Sequence, residues 1–184
     1  MKQLKLYGLG GQGVVTAAKV LSIAVSIHED AYANMVPAFG HERRGAPVFT
    51  DLMIDNEPVL MNSFVYEPDI VVVFDDTMPD KKIDVSSGIT KDAILVLNTA
   101  DEKTAKHYKD TYAFKDVYYV DGTKIAQDTI GKSIQNGAML GALASTGAVK
   151  LDSVTAALKE FFGEKGGDSN AESARKAYEN TKKV

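Results

Sequence analysis

The chain contains no cysteine. Without thiols it cannot form disulfides, cannot hold an iron–sulfur cluster through its own thiolates and has no cysteine nucleophile. Its three histidines, His28, His41 and His107, are scattered without i,i+4 partners, so no zinc or other metal site is predicted. If the chain takes part in redox chemistry, another subunit must therefore hold the electron carriers.

Long apolar runs and an excess of positive charge are also missing. No apolar run approaches the ~18 residues of a membrane-spanning helix, and the N-terminus lacks the apolar core of a signal peptide. The formal net charge of −4 argues against nonspecific nucleic-acid binding, which depends on clustered Lys and Arg. We therefore predict no membrane association, no nucleic-acid partner and a cytoplasmic location.

Strand and helix patterns alternate along the 184 residues in a way typical of α/β proteins. Unbroken apolar runs closed by small polar residues predict strands buried on both faces of a parallel sheet, at 70–74, 93–97 and 117–120. Helices are predicted over 14–27, 123–129, 136–149, 154–162 and 171–182. We expect a single domain over residues 1–184, folded as a three-layer α/β sandwich with a Rossmann-like, mainly parallel sheet.

A β-hairpin is predicted beside that sheet. Residues 48–54 alternate like a half-buried strand, 55–58 carry a turn signal, and 59–61 have the pattern of a returning strand. Two strands joined by so short a loop are typical of an antiparallel pair. The preceding segment, 32–47, holds two prolines and two glycines, which disfavour a long regular helix.

A glycine-rich motif lies between a short strand predicted from Leu4 to Gly8 and the helix predicted over 14–27. It matches G-x-G-x-x-G and comprises Gly8, Gly10, Gly11, Gln12 and Gly13 around Leu9. Glycine permits a close backbone approach, and the following helix offers free N–H groups and the positive end of its dipole. These residues are the predicted ligand or phosphate loop. The Gln12 amide is a candidate bridge to a ligand or to a neighbouring subunit.

Three interpretations of this loop stay open: a dinucleotide site, a site for the phosphate of another ligand, or a tight turn needed only for helix–sheet packing. A dinucleotide site requires an acid about 20 residues on, at the end of the second strand. Glu29 and Asp30 have nearly that spacing, but they follow the helix directly and resemble a solvated turn. The dinucleotide interpretation therefore fails one of its checks.

A second motif, PAFGHERRGAP over residues 37–47, makes the sequence characteristic of one protein family. Together with GLGGQGV near the N-terminus, it resembles the γ subunit of pyruvate (2-oxoacid):ferredoxin oxidoreductase over nearly the whole chain. The related 2-oxoglutarate-type subunits usually carry YG-x-E-x-RGG at this position. The Ala46-Pro47 pair of this chain resembles the pyruvate form instead.

The resemblance implies a role in an oxidoreductase complex of anaerobic metabolism. That complex decarboxylates a 2-oxoacid oxidatively, joins the acyl group to coenzyme A and passes electrons to ferredoxin. Its thiamine diphosphate, Mg and iron–sulfur clusters belong to the α, β and δ subunits, which are the implied partners. By the same resemblance, this chain has no catalytic residue, binds no cofactor alone, is inactive in isolation and helps to shape the coenzyme A site.

The arginine-containing motif supplies the predicted interface or coenzyme-A-proximal residues: Phe39, Gly40, Glu42, Arg43, Arg44 and Gly45. Arginine pairs bidentately with carboxylate or phosphate, so coenzyme A phosphates are one candidate partner. The alternative is that one arginine pairs with Glu42, or with an acid of a neighbouring subunit, and fixes the loop. Arginine and aromatic residues are also enriched at protein interfaces.

Two other functions remain compatible with these patterns. One is a free-standing NAD(P)-dependent reductase that uses the glycine loop. The other is a small-molecule-binding module that regulates partner proteins. Binding of NAD(P) by the purified chain favours the first, and stable thiamine- and cluster-bearing partners exclude both.

Overall fold

The computed structural model describes residues 1–37 and 45–184. The described residues form seven strands and six α-helices, with short 3-10 turns at Pro79–Lys81 and Gly163–Lys165. In chain order, the elements are β1 Lys2–Leu9, α1 Val14–His28, β2 Tyr32–Pro37, β3 Pro47–Asp55, β4 Ile70–Val73, β5 Ile94–Asn98, α2 Glu102–Tyr112, β6 Asp116–Val120, α3 Gly122–Ile130, α4 Asn136–Ser145, α5 Leu151–Phe162, α6 Gly167–Asn180 and β7 Lys182–Lys183.

All seven strands belong to one sheet in the order β2-β3-β1-β4-β5-β6-β7. The four central strands β1, β4, β5 and β6 are parallel to one another. Strand β3 is antiparallel to both β1 and β2, and the short β7 adds antiparallel to β6. The predicted α/β fold with its Rossmann-like parallel centre is confirmed.

The two faces of the sheet are covered unequally. On one face, Leu4, Leu6 and Val72 pack in a large apolar core with α1, α4, α5 and α6. On the other face, Val71 and Val73 pack in a second core with Tyr108 of α2 and apolar residues of the segment between β4 and β5. Alternate residues of β4 thus enter opposite cores, which explains why its sequence is apolar without interruption.

The predicted antiparallel addition is present, but its strands differ from those expected. Residues 59–61 are not a strand, and the hairpin partner of β3 is β2. Strand β2 lies at the edge of the sheet and ends at Pro37, where a missing N–H costs no ladder hydrogen bond. Residues 56–67, here named the strap, instead cross the sheet without regular structure because the partly buried Lys5 of β1 and the buried Asp51 of β3 bind their backbone.

None of the helices in the described part of the chain combines the length and the apolarity that crossing a bilayer requires.

Candidate functional site

The glycine loop turns the chain from the carboxyl end of β1 into α1. A Cβ atom at Gly8 would lie 2.6 Å from Val14 Cγ2 and 2.9 Å from Phe74 Cβ, so only glycine fits without displacement. Gly13 is the N-cap of α1 and has a φ of +83°, a conformation that disfavours other residues. Two glycines of the motif are thus required by the turn itself, whatever the loop binds.

Gln12 fixes the loop to the neighbouring parallel strand. Its Oε1 accepts a hydrogen bond from Leu9 N at 2.7 Å, and its Nε2 donates to Asp75 Oδ2 at 2.7 Å. Burial raises the pKa of Asp75, but hydrogen bonds from Thr77 and Gln12 outweigh it and hold that pKa below its usual 3.8. The amide expected to bridge outward therefore bridges β1 to the end of β4.

The second sequence motif returns to the glycine loop. Gly10 N donates to Ala46 O at 2.8 Å, and Gly45 N donates to Gly10 O at 3.0 Å. Gly45, the residue that follows Arg44 in the chain, is thereby in direct contact with the loop. The other predicted interface residues lie outside the described residues: Phe39, Gly40, Glu42, Arg43 and Arg44.

The start of α1 has backbone donors without an acceptor among the described residues. The first helical hydrogen bond runs from Ala17 N to Gly13 O at 2.8 Å. Among residues 1–37 and 45–184, none accepts a hydrogen bond from the amides of Gly11, Gly13 or residues 14–16. The first turn of α1 contains no acidic side chain. Unoccupied amides at the positive end of a helix dipole attract an anion.

A groove of about 640 Å³ opens beside these donors. One wall is the glycine loop with the first turn of α1. The opposite wall contains Ile134, Phe161 and Phe162, and Ile134 and Phe161 remain 37% and 41% exposed. The groove therefore offers amide hydrogen bonds on one side and apolar surface on the other, which suits a ligand with both an anionic and an apolar part.

A separate polar cleft lies at the carboxyl ends of β4, β5 and β6. Its lining includes three carboxyl side chains, Asp75, Asp76 and Asp121. The side chain of Asn98, buried at the end of β5, is hydrogen-bonded within the protein. Its Nδ2 donates to Phe74 O, and its Oδ1 accepts from Gly122 N, both at 2.9 Å. Because carboxylates repel phosphate, an anionic ligand is favoured in the groove and not in the cleft.

Gln135, just before α4, was not singled out by the sequence. It is 2% exposed, and its Nε2 donates to Phe74 O at 3.0 Å. Together with Asn98, it holds the end of β4 beside the glycine loop. No sequence pattern marks this residue, because its role depends on a contact 61 positions away.

Taken together, the fold and site define an open α/β domain with a groove beside a glycine loop. Its described residues show no group of three His, Asp or Glu side chains that could hold a metal ion. Such a domain supplies binding surface at the carboxyl edge of a sheet, where open α/β proteins place their ligands.

Comparison with known proteins places this domain in a family. The family model for pyruvate ferredoxin/flavodoxin oxidoreductase matches residues 3–180. The chain is 42% identical over 182 residues to the pyruvate/ketoisovalerate oxidoreductases common subunit gamma of Pyrococcus abyssi, covering 98% of this chain and 97% of that protein. It is 43% identical over 183 residues to the pyruvate synthase subunit PorC of Methanothermobacter marburgensis, covering 99% and 98%.

Solved structures agree with these relatives. The pyruvate oxidoreductase subunit PORC of Thermotoga maritima superposes with a TM-score of 0.83 at 29% identity, covering 100% of this chain and 98% of that one. The chain belongs to the pyruvate ferredoxin/flavodoxin oxidoreductase family. The family resemblance and oxidoreductase class predicted from the two motifs are confirmed, whereas the free-standing reductase and the regulatory module gain no support.

Proposed function

We propose that the chain is the γ subunit of a pyruvate:ferredoxin oxidoreductase and that its groove forms part of the coenzyme A site. In this proposal, residues 1–184 act as one domain of a cytoplasmic hetero-oligomer with α, β and δ subunits. The complex converts pyruvate and coenzyme A to acetyl-CoA and CO₂ and passes two electrons to ferredoxin. The chain itself contributes binding surface and no catalytic group.

The groove beside the glycine loop is the observation that carries this proposal. Coenzyme A combines phosphates with a long, largely neutral pantetheine arm. No described residue accepts a hydrogen bond from the amides of residues 14–16, so these amides fit a phosphate. The exposed ring of Phe161 and the partly buried ring of Phe162 fit apolar contact along the arm. Gly45 joins the arginine motif to this loop, and arginine is suited to phosphate recognition.

The other cofactors are assigned to partner subunits. The chain has no cysteine for an iron–sulfur cluster, and its described residues show no cluster of carboxylates and histidines for a metal ion. Thiamine diphosphate with its Mg, and the iron–sulfur clusters, are therefore expected on the α, β and δ chains. Ferredoxin is expected to dock on a cluster-bearing chain.

Replacing Ile134 with Glu in the assembled complex tests the groove. The side chain is partly exposed in the groove wall, so the variant should fold, and its carboxylate should repel coenzyme A phosphates. We expect the KM for coenzyme A to rise about tenfold, equivalent to about 1.4 kcal/mol, with the KM for pyruvate unchanged. The measurement is steady-state ferredoxin reduction at varied coenzyme A.

The matched control is Ile27→Glu. Ile27 is 66% exposed near the carboxyl end of α1, so the same charge is added at the opposite end of the helix from the loop. Both KM values should match those of the unmodified complex. An Ile134→Glu complex with an unchanged KM for coenzyme A would remove the groove from the coenzyme A site.

A further inference from the structure

The strap, residues 56–67, is a coil that the sheet holds in a fixed position. Asn34 Nδ2 donates to Met61 O at 2.6 Å. Val65 N donates to Asp51 Oδ2 at 2.8 Å, and Lys5 Nζ donates to Val65 O at 2.9 Å. Three side chains from β1, β2 and β3 thus bind the backbone of the strap at two places along its length.

The anchor at Val65 uses a charged pair formed by the buried Asp51 and the partly buried Lys5. Lys5 Nζ lies 3.5 Å from Asp51 Oδ1, which is an ion-pair distance and long for a good hydrogen bond. Asp51 is 1% exposed, and its burial raises its pKa above the usual 3.8 despite the opposing contributions of Val65 and Lys5. Burying a carboxylate is costly. The sheet nevertheless contains one, and it binds the Val65 amide.

The anchored strap turns large apolar side chains toward solvent. Leu60 is 90% exposed, Tyr66 74%, Met61 50% and Phe64 43%. Phe64 lies 6.5 Å, centroid to centroid, from the ring of Phe49 on β3. Scattered apolar residues are ordinary on a protein surface, but four within seven consecutive residues of an ordered coil indicate an interaction site.

The charges of the strap indicate what kind of surface covers it. Its charged residues are Glu57 and Glu67, both exposed, and it contains no Lys, Arg or His. A complementary surface has an apolar pocket with Lys or Arg at its rim. A second copy of this chain would bring its own acidic strap against this one in a two-fold contact, which like-charge repulsion disfavours.

We propose that the strap docks the chain onto another subunit of its oxidoreductase complex, one that offers an apolar pocket rimmed by basic side chains. This proposal rests on the proposed function, because it takes a heteromeric complex as given. The strap crosses the sheet face opposite α1, whereas the groove opens on the α1 side. One face of the chain therefore meets a partner subunit while the other remains available to a small ligand.

A double substitution, Leu60→Ser with Phe64→Ser, tests the strap in the co-produced complex. A tagged chain is purified at increasing NaCl, and the retained thiamine- and cluster-bearing subunits are identified by mass spectrometry and quantified. We expect at least about tenfold weaker retention than for the unmodified chain, since exposed apolar anchors dominate interfaces. The control, Ile27→Ser with Tyr178→Ser, removes exposed apolar side chains of α1 and α6 and should retain its partners fully.

A second variant tests the strap even if the double serine variant fails to fold. Glu57→Lys with Glu67→Lys changes only exposed charges and should weaken retention most at low salt, where charge pairing is least screened. Full retention by both strap variants would overturn the proposal. An unmodified chain that retains no thiamine- or cluster-bearing subunit would overturn the proposed function, and the strap proposal with it. A purified chain that dimerises through the strap in light scattering would make a second copy the occupant and equally contradict it.

Discussion

The groove and the strap lie on opposite faces of the same sheet, and different interactions hold them in place. The groove is shaped by backbone geometry, with Gly8 and Gly13 at positions that no other residue fits well and Gln12 tied to the end of β4 by a hydrogen bond to the Asp75 carboxylate. The strap has no regular backbone and depends on the partly buried Lys5 and the buried Asp51. The glycine loop is thus fixed by its own turn, whereas the strap, which presents its side chains to solvent, is fixed by side chains of the sheet beneath it.

The comparison predicts that the strap is the more vulnerable region. Asp51→Ala leaves the Lys5 ammonium without its carboxylate and the Val65 amide without an acceptor. Breaking a buried pair from one side costs about 3–5 kcal/mol of unfolding free energy. Urea unfolding measures this loss of unfolding free energy. A loss below about 1 kcal/mol would show that the strap does not depend on this pair.

Arg44→Ala tests whether the arginine motif beside the groove binds coenzyme A or a neighbouring subunit. If the arginine binds a coenzyme A phosphate, its loss removes a charge-assisted hydrogen bond of roughly 1.5–3 kcal/mol, and the KM for coenzyme A rises about tenfold or more. If it pairs with an acid of a neighbouring subunit, assembly weakens instead. The free energy of unfolding of the isolated domain should stay unchanged. Arg175→Ala, which removes an exposed arginine of α6, is the control and should change neither property. Unchanged kinetics and unchanged assembly for Arg44→Ala would show that the motif has neither role.

Gly8→Ala probes the turn beneath the groove. The added Cβ overlaps Val14 and Phe74, and overpacking of this kind costs about 1–3 kcal/mol. Thermal unfolding of the purified chain measures the effect. Gly131→Ala is a useful comparison, because it adds a methyl group where no atom lies within 4 Å, although its φ of +75° adds backbone strain. A Gly8→Ala chain as stable as the unmodified one would refute the close packing of the loop.

The smallest expected effect is a difference in pH dependence between the two regions. The pKa of Asp51 is raised in the folded chain, so its contribution to stability is complete below 3.8 and declines as pH rises through the higher folded value. The pKa of Asp75 is lowered, so its contribution is present above 3.8 and declines as pH falls through the folded value. Asp51→Asn should remove the first dependence, and Asp75→Asn the second. Unfolding curves measured from pH 3 upward, a range of roughly ordinary carboxyl titration, compare the variants. Identical pH profiles in all three chains would contradict both assignments.

The sequence predicted the parts of this molecule that depend on local rules. Uninterrupted apolar runs predicted β4, β5 and β6, and the glycine spacing predicted the turn between β1 and α1. The two motifs were sufficient to recognise the family, although not to show that Gly45 contacts Gly10. Contacts between distant residues of this kind depend on how the sheet is assembled, which no local pattern encodes.

The strap shows where local rules fail. The turn signal at 55–58 and the apolar residues at 59–61 are consistent with a hairpin, but Asp51 and Lys5 bind Val65 and draw the chain across the sheet. The true hairpin partner, β2, has an edge position that accepts Pro37. Gln135 was missed for the same reason, since its contact with Phe74 O appears only when β4 and α4 are brought together.

We propose above that the chain completes an oxidoreductase whose chemistry takes place on other subunits. The most direct measurement adds the purified chain to a complex assembled without it and follows pyruvate-dependent ferredoxin reduction at varied coenzyme A. We expect the chain alone to be inactive, to bind no NAD(P), and to restore coenzyme-A-dependent turnover when added to the incomplete complex. Turnover by the chain alone, or an incomplete complex that already works at full rate with an unchanged KM for coenzyme A, would contradict the claim.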